Sequence, residues 1–243
     1  MAPSLQLLLL LGTVSLVLTK YVYVDERKYW PQAQSYCEIH HTDLAPVNSY
    51  SDMELLRQLT GPPSKSIWIG LLRNKTHTEK WRWSGGGEVT KFFWNNGEPN
   101  GRPDEKYGFM NHLWYDVSIR SAFTFICFSV HVVREEKTWE EAIEYCRQNH
   151  TDLASISSET ELMLIQKELN KKNTTEHVWI GLRFLAGDWL WLDQNAGEYE
   201  AWGHRENPNE CPIETCGALM VNNQGVHQWN AHDCVKKMNF VCY

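Results

Sequence analysis

Tryptophan placement is the feature of this sequence that most restricts its fold. The chain has 12 tryptophans, and all of them fall into pairs whose members are separated by a nearly constant stretch of sequence. These pairs are Trp30/Trp139, Trp68/Trp179, Trp81/Trp189, Trp83/Trp191, Trp94/Trp202 and Trp114/Trp229. The separation is 109 residues at the first pair and 115 at the last, and such small changes are what insertions in loops would produce. Random placement would not give this pattern, so it predicts two copies of one folding unit.

Longer segments repeat in the same order as the tryptophans. Residues 30–37 match residues 139–146 through the shared pattern Trp-x-x-Ala-x-x-Tyr-Cys. Further matches are Thr-Asp-Leu-Ala at 42–45 and 151–154, Trp-Ile-Gly-Leu at 68–71 and 179–182, and Phe-x-Cys at 125–127 and 240–242. No linker rich in Gly, Ser or Pro separates the copies, so we expect adjoining domains at residues 20–128 and 129–243.

Each copy predicts helices first and most of its strands later. A short strand, residues 21–24 or 130–133, leads into a helix on which Trp, Ala and Cys share one face at helical spacing. Thr138-x-x-Glu141 is a capping box, and a second helix opens at Ser51-x-x-Glu54 or Ser158-x-x-Glu161. Aromatic strands, long loops and two closing strands follow. The expected class is α+β, with two helices and antiparallel strands per domain and the paired tryptophans mostly in the core.

The N-terminus carries an apolar run from Leu7 to Leu18. This run is shorter than the ~20 apolar residues that cross a bilayer. We therefore interpret residues 1–19 as the signal peptide of a secreted, extracellular protein, with an uncleaved signal anchor as the alternative. No other membrane span is expected.

The cysteines and sequons fit an extracellular location. The 7 cysteines are expected to form disulfides in an oxidising compartment, and their odd number leaves at least one without an internal partner. Asn74, Asn149 and Asn173 each begin an Asn-x-Thr sequon, which predicts a glycoprotein.

Charge and motif content restrict the function to binding. The formal net charge of −7 argues against a nucleic-acid-binding surface. The sequence lacks Gly-x-Ser-x-Gly, His-Glu-x-x-His and a P-loop, and its histidines show no tight zinc-ligand spacing. We therefore predict that the protein is not an enzyme.

The Trp-x-x-Ala-x-x-Tyr-Cys helix, the Trp-Ile-Gly-Leu strand and the closing Phe-x-Cys strand occur in this order twice. In that combination they resemble the C-type lectin-like domain, arranged in tandem as in mannose-receptor-like proteins. The resemblance covers essentially the whole chain after the signal peptide. It implies a disulfide between the first and last cysteines of each copy, namely Cys37–Cys127 and Cys146–Cys242.

The family also has an inner disulfide that closes its long-loop region. The resemblance implies Cys216–Cys234 in the second copy, whereas Tyr107 and Ile119 stand at the equivalent positions of the first copy. Cys211 is left over. It links two chains in a disulfide-linked dimer, stays free, or competes with Cys216 for Cys234.

Sugar-binding members of the family hold Ca²⁺ in the long loop, and the hydroxyls of the sugar complete its coordination. Ca²⁺ takes six to eight oxygen ligands, so carboxylates and amide carbonyls suit it. Carried onto the first copy, the ligands of both the metal and the carbohydrate are Glu98 and Asn100 of a Glu-Pro-Asn triplet, with Glu105 and Asp116. Tyr115 replaces the asparagine that normally precedes that aspartate. The Glu-Pro-Asn triplet is the one that the family uses for mannose-type sugars.

The second copy carries a degenerate ligand set. The equivalent residues are Asn207, Asn209, Glu214 and Asn230, and Ala231 replaces the aspartate. A single carboxylate compensates poorly for removing water from a divalent cation. We therefore expect no useful Ca²⁺ binding by this copy.

Two functions follow from these residues. The first is a lectin that binds mannose-type glycans or glycoproteins through the first copy and Ca²⁺. The second is a calcium-independent module that uses the same fold to bind a protein, because a fold alone does not fix a function.

Overall fold

A computed structural model describes residues 20–61, 65–74, 80–171, 173–193, 199–203, 213–221 and 228–243. The predicted signal peptide lies outside this range, as do Asn207, Asn209 and Cys211. The described residues form two domains of the expected α+β class, each with two helices and one main sheet. Within this range, no helix is long and apolar enough to cross a membrane.

Domain 1 builds its sheet around the parallel pairing of one central strand with the closing strand. Its elements in chain order are β1 (Tyr21–Tyr29), α1 (Trp30–His40), β2 (Asp43–Leu44), α2 (Tyr50–Thr60), β3 (Ile67–Arg73), β4 (Trp81–Trp83), β5 (Glu105–Asn111), β6 (Leu113–Ser118) and β7 (Ala122–Phe128). The strand order is β1-β7-β3-β5-β6, and β3 and β7 pair in parallel. The long loop connects β4 to β5, so the sheet fixes both of its ends.

Domain 2 repeats this arrangement. Its elements are β8 (His131–Lys137), α3 (Trp139–Asn149), α4 (Glu159–Leu169), β9 (His177–Leu185), β10 (Asp188–Trp191), β11 (Cys216–Met220), β12 (Trp229–His232) and β13 (Met238–Cys242). The strand order is β12-β11-β9-β13-β8, with β9 and β13 parallel.

The tryptophans occupy the core, as the sequence predicts. Eight are buried and four, at positions 94, 189, 191 and 202, are half-buried. The same bond recurs in both domains, where the indole of Trp30 donates to the Ile69 carbonyl at 2.9 Å and that of Trp139 to the Ile180 carbonyl at 3.0 Å. Burying an indole with its N–H paired gains the apolar burial without leaving an unsatisfied donor.

The capping of the second helix differs from the expectation in domain 1. Thr138 and Ser158 cap α3 and α4 as predicted. In domain 1, however, the cap is Ser49, whose hydroxyl accepts from the backbone N–H of Asp52 at 3.0 Å, and not Ser51. The Ser51-x-x-Glu54 pattern misleads because the buried Asp52, not Glu54, takes the place of Glu161 at the start of the helix.

The first strand of each domain is longer than the apolar pattern indicates. β1 continues past Val24 to Tyr29 with an irregularity in its pairing to β7. Residues 25–27 are exposed, because this is an edge strand, so its last part shows no apolar alternation.

The three disulfides implied by the resemblance are present. The outer bridges Cys37–Cys127 and Cys146–Cys242 join the first helix of each domain to its last strand. Cys216–Cys234 closes the loop region of domain 2.

A buried charge cluster lies where the domains meet. The ammonium of Lys20 lies 3.1 Å from Asp52 of domain 1 and 2.6 Å from Glu161 of domain 2. Burial alone would lower the pKa of Lys20, but the two carboxylates raise it overall. Gly85 also lies against domain 2, because a Cβ there would overlap the side chain of Leu164 of α4. The domains therefore share one packed boundary.

Candidate functional site

The long loop of domain 1 is anchored to β6 through backbone bonds on both sides of Trp94. Trp114 donates its N–H to the Phe93 carbonyl at 2.8 Å, and Asn95 donates to the Trp114 carbonyl at 2.9 Å. Beneath this anchor the buried rings of Trp83 and Phe93 contact the edge of Trp114. The aromatic core therefore places the next residues, 98–100, beside Asp116 of β6.

Three of the four predicted site residues come together at this point. The backbone N–H of Asn100 donates to the Asp116 carboxylate at 3.2 Å, and both the backbone and the side-chain amide of Asn100 donate to Glu98 Oε2 at 3.2 Å. Burial and the adjacent Asp116 carboxyl raise the pKa of Glu98. The Glu98–Pro99 peptide bond is cis.

Glu105 is the fourth predicted residue, and it begins β5. The residue is 9% exposed, and its Oε2 is buried without a hydrogen-bond partner. Its other oxygen lies 3.5 Å from the exposed guanidinium of Arg102. Arg102 also donates its backbone N–H to the Asn100 side-chain oxygen at 3.4 Å. A buried carboxylate oxygen without a partner carries an energetic penalty that a cation would relieve.

Tyr115 faces away from these oxygens. Its ring stacks on Phe109 with centroids 5.1 Å apart. Neighbouring residues of a strand point to opposite faces, so Asp116 and Tyr115 belong to different sides of β6. Tyr115 therefore supplies packing and not a ligand.

Arg73 is a site residue that the sequence reasoning missed. Its guanidinium lies 3.0 Å from Asp116 Oδ2 and 4.9 Å above the ring of Trp81. The side chains of Arg73 and Asp116 are 15% and 0% exposed. An alignment of the two copies could have indicated that Arg73 and Asp116 are linked. Domain 2 has Phe184 at the position of Arg73 and Ala231 at the position of Asp116.

The equivalent region of domain 2 is only partly described. Asn207 and Asn209 lie outside the described residues. Glu214 pairs with the ammonium of Lys236 at 2.9 Å, and Asn230 lies in β12 opposite Ala218. Among the described residues at the equivalent ligand positions, Glu214 is thus the one carboxylate, and it already has a counter-ion.

The donor set of domain 1 fits a hard cation by its chemistry, since it combines three carboxylates and an amide oxygen. The carboxylates are not drawn together into a closed cage, however. Across the described residues, the one trio of His, Cys, Asp or Glu whose ligand atoms all lie within 4.8 Å is Glu140, Cys216 and Cys234. The two cysteines of that trio form a disulfide, so it is not a metal site.

The sequons differ in exposure. Asn149 and Asn173 are exposed, and Asn74 is half-buried. Glycosylation at each of them stays a prediction. A dimer linked through Cys211 also stays a prediction, because Cys211 is not among the described residues.

The sequence model of the family described as "Lectin C-type domain" matches residues 26–128 and 135–243. L-selectin of Rattus norvegicus is 31% identical over 121 residues, which cover 48% of this chain and 32% of the selectin. C-type mannose receptor 2 of Homo sapiens is 23% identical, covering 92% of this chain and 18% of the receptor. The chain therefore spans about a third or less of the length of these curated relatives.

Solved structures with this fold include the mouse scavenger receptor C-type lectin carbohydrate-recognition domain. It is 24% identical to this chain with a TM-score of 0.40, and the match covers 44% of this chain and 86% of that one.

Proposed function

Because the chain belongs to the C-type lectin domain family, whose members are binding proteins and not enzymes, we propose that it is a secreted, extracellular protein that binds carbohydrate through the long loop of domain 1. The observation that carries this proposal is the meeting of Glu98, Asn100 and Asp116, together with the unpartnered buried oxygen of Glu105 at the end of the same loop. The proposed domain boundaries are 20–128 and 129–243, after a signal peptide at 1–19.

The proposed cofactor is Ca²⁺, with Glu98, Asn100, Glu105 and Asp116 as its ligands. A Ca²⁺ ion held there supplies open coordination positions for vicinal hydroxyls of a sugar. The residues of the loop orient the ligand, since Asn100 already fixes the Glu98 carboxylate by two hydrogen bonds. The Glu-Pro-Asn triplet favours mannose-type glycans, and a relative named as a mannose receptor supports a sugar ligand.

Domain 2 is proposed to bind no Ca²⁺. Its described loop residues include the carboxylate of Glu214, and that carboxylate is neutralised by Lys236. Sugar binding is therefore assigned to domain 1 alone.

A calcium-independent protein-binding module is the second candidate, and one observation favours it. Arg73 places a positive charge on Asp116 without any metal, which leaves the loop partly neutralised as it stands. The same loop then presents a fixed polar surface to a partner protein.

Retention on immobilised mannan separates the two candidates. The secreted protein, residues 20–243, is applied with calcium and then eluted with EGTA. We expect retention that EGTA releases, and Glu98→Gln should weaken it by at least about 10-fold, since even outer-shell partners of a metal site give such losses.

Glu214→Gln is the matched control, because it makes the same change at the equivalent loop of domain 2 and should leave retention unchanged. Retention that survives EGTA would show sugar binding without calcium. Flow-through of the natural protein in both conditions would count against the lectin and direct the search to protein partners.

A further inference from the structure

Arg73 lies where it can affect the affinity of the domain 1 site for a metal ion. The residue ends β3, and its guanidinium lies between the ring of Trp81 and the carboxylate of Asp116. With 15% of its side chain exposed, it has little room to leave. An arginine keeps its charge throughout the physiological pH range, so this site always contains one positive charge.

Both oxygens of Asp116 already have partners. Oδ2 accepts from the Arg73 guanidinium at 3.0 Å, and Oδ1 accepts from the backbone N–H of Asn100 at 3.2 Å. The Asp116 side chain is fully buried, so no further solvent-facing oxygen is available. A metal that uses Asp116 must therefore share this carboxylate with the guanidinium or displace it.

Sharing is unfavourable for electrostatic reasons. Two cations on one buried carboxylate repel each other in a region of low effective dielectric, where the interaction is several times stronger than in water. The guanidinium also fixes Asp116 without any metal, because a buried pair with hydrogen bonds satisfies both charges.

The second copy of the domain supports a functional link between the two residues. Where domain 1 has Asp116 and Arg73, domain 2 has Ala231 and Phe184. Phe184 contacts Trp189 at 5.6 Å, as Arg73 contacts the equivalent Trp81. The cation is thus present in the copy that has the carboxylate and absent from the copy that lacks it.

We propose that Arg73 is a built-in counter-ion of the domain 1 loop that competes with Ca²⁺ for Asp116 and so sets the calcium affinity of the site. It also keeps Glu98, Asn100 and Asp116 assembled without a metal. This inference rests on the proposed function, since it concerns the same carboxylates.

The test is the calcium affinity of Arg73→Gln in the full secreted chain, measured by calorimetry and by the melting temperature with calcium and with EGTA. Glutamine keeps a planar polar group over Trp81 but removes the charge. We expect at least about 10-fold tighter Ca²⁺ binding than in the natural chain, from removal of a like charge next to the ion. The melting temperature of this variant should fall in EGTA and recover with calcium.

Arg82→Gln is the matched control, because Arg82 lies exposed on the neighbouring strand β4. It removes the same charge without touching Asp116 and should bind Ca²⁺ as the natural chain does. The double variant Arg73→Gln/Asp116→Asn removes both charges and should fold with no calcium response in its melting temperature.

The outcomes separate this inference from the proposed function. If the natural chain binds Ca²⁺ and Arg73→Gln binds it no more tightly, the inference is overturned and the function stands. If Arg73→Gln binds Ca²⁺ and the natural chain does not, the inference holds and the proposed calcium dependence of the natural chain is overturned. If neither binds Ca²⁺, the inference and the proposed calcium dependence are both overturned. Failure of Arg73→Gln to fold even in saturating calcium would also overturn the inference, because Ca²⁺ then cannot take over the role of the guanidinium.

Discussion

The two domains share a fold but hold their loop regions by different interactions. In domain 2, the disulfide Cys216–Cys234 ties the start of β11 to the turn after β12. In domain 1 the equivalent residues are Tyr107, whose ring packs on Trp30 at 4.8 Å, and Ile119, which is 47% exposed. Where domain 2 has a covalent bond, domain 1 has an aromatic contact at one position and a surface side chain at the other.

The charges of the two loops follow a common rule. Asp116 of domain 1 pairs with Arg73, and Glu214 of domain 2 pairs with Lys236. Each domain thus neutralises a carboxylate at a family ligand position with a cation of its own. The difference is burial, since the side chains of Glu214 and Lys236 are 41% and 46% exposed and their pair contributes little. The Arg73 side chain is only 15% exposed, so it is a counter-ion that can affect the binding of a cation at its site, unlike the exposed Lys236.

The largest expected difference between the domains comes from the inner disulfide. Replacing both Cys216 and Cys234 with alanine should lower the free energy of unfolding by ~3 kcal/mol, because the bridge closes a short loop in the denatured chain. Both are replaced so that neither thiol is left to pair with Cys211. Denaturant unfolding gives the loss, and hydrogen exchange should place it in β11 and β12 and not in β5 and β6. A loss below about 1 kcal/mol would mean that the bridge does not distinguish the two domains.

A smaller effect is expected from the aromatic contact that stands in its place. Tyr107→Ala should cost about 2 kcal/mol, from the lost ring burial and the lost contact with Trp30. Tyr107→Phe keeps the ring and is the control, expected within about 0.5 kcal/mol of the natural protein. If Tyr107→Ala and Tyr107→Phe have the same free energy of unfolding in denaturant, the Tyr107 ring does not take the place of a disulfide in domain 1.

The sequence predicts the fold well because its signals are local or repeated. The paired tryptophans and the Thr138 capping box require only spacing along the chain, whereas the disulfide pairing came from the resemblance to the C-type lectin-like domain. The Ser49 cap was missed because Ser51 also fits the short pattern. Only the burial of Asp52 beside Tyr21 and Lys20 decides between the two serines.

The meeting of three of the proposed ligands was predictable from the sequence, but the counter-ion beside them was not. Glu98, Asn100 and Asp116 meet in the fold although the latter lies well after the triplet in sequence. Arg73 is the last residue of an apolar strand, and no motif connects it to Asp116. Such a contact depends on the register between β3, β4 and the hairpin of β5 and β6, which single-sequence reasoning does not supply.

The smallest expected effect concerns acid stability, and it again separates the domains. His131 of β8 stands where domain 1 has Val22, since each faces the last cysteine of its domain. Its ring stacks on His150 at 4.3 Å, and Ser129 lies between it and His41. Burial and these neighbouring histidines lower the pKa of His131 to about 4.

Protonation of His131 therefore opposes folding. The unfolded chain titrates at its ordinary pKa of about 6.5, so the contribution of His131 to stability is complete above that pH and is lost as the pH falls toward 4. The His131 side chain is exposed to solvent, so water screens the charge and we expect a loss of at most ~1 kcal/mol between about pH 7.5 and about pH 5. His131→Val, which copies domain 1, should remove that part of the pH dependence in urea unfolding. His112→Gln, an exposed histidine at the tip of the β5–β6 hairpin, should leave it unchanged. An equal pH dependence in the natural protein and in His131→Val would show that the acid sensitivity lies elsewhere, and His131 would then not distinguish domain 2 from domain 1.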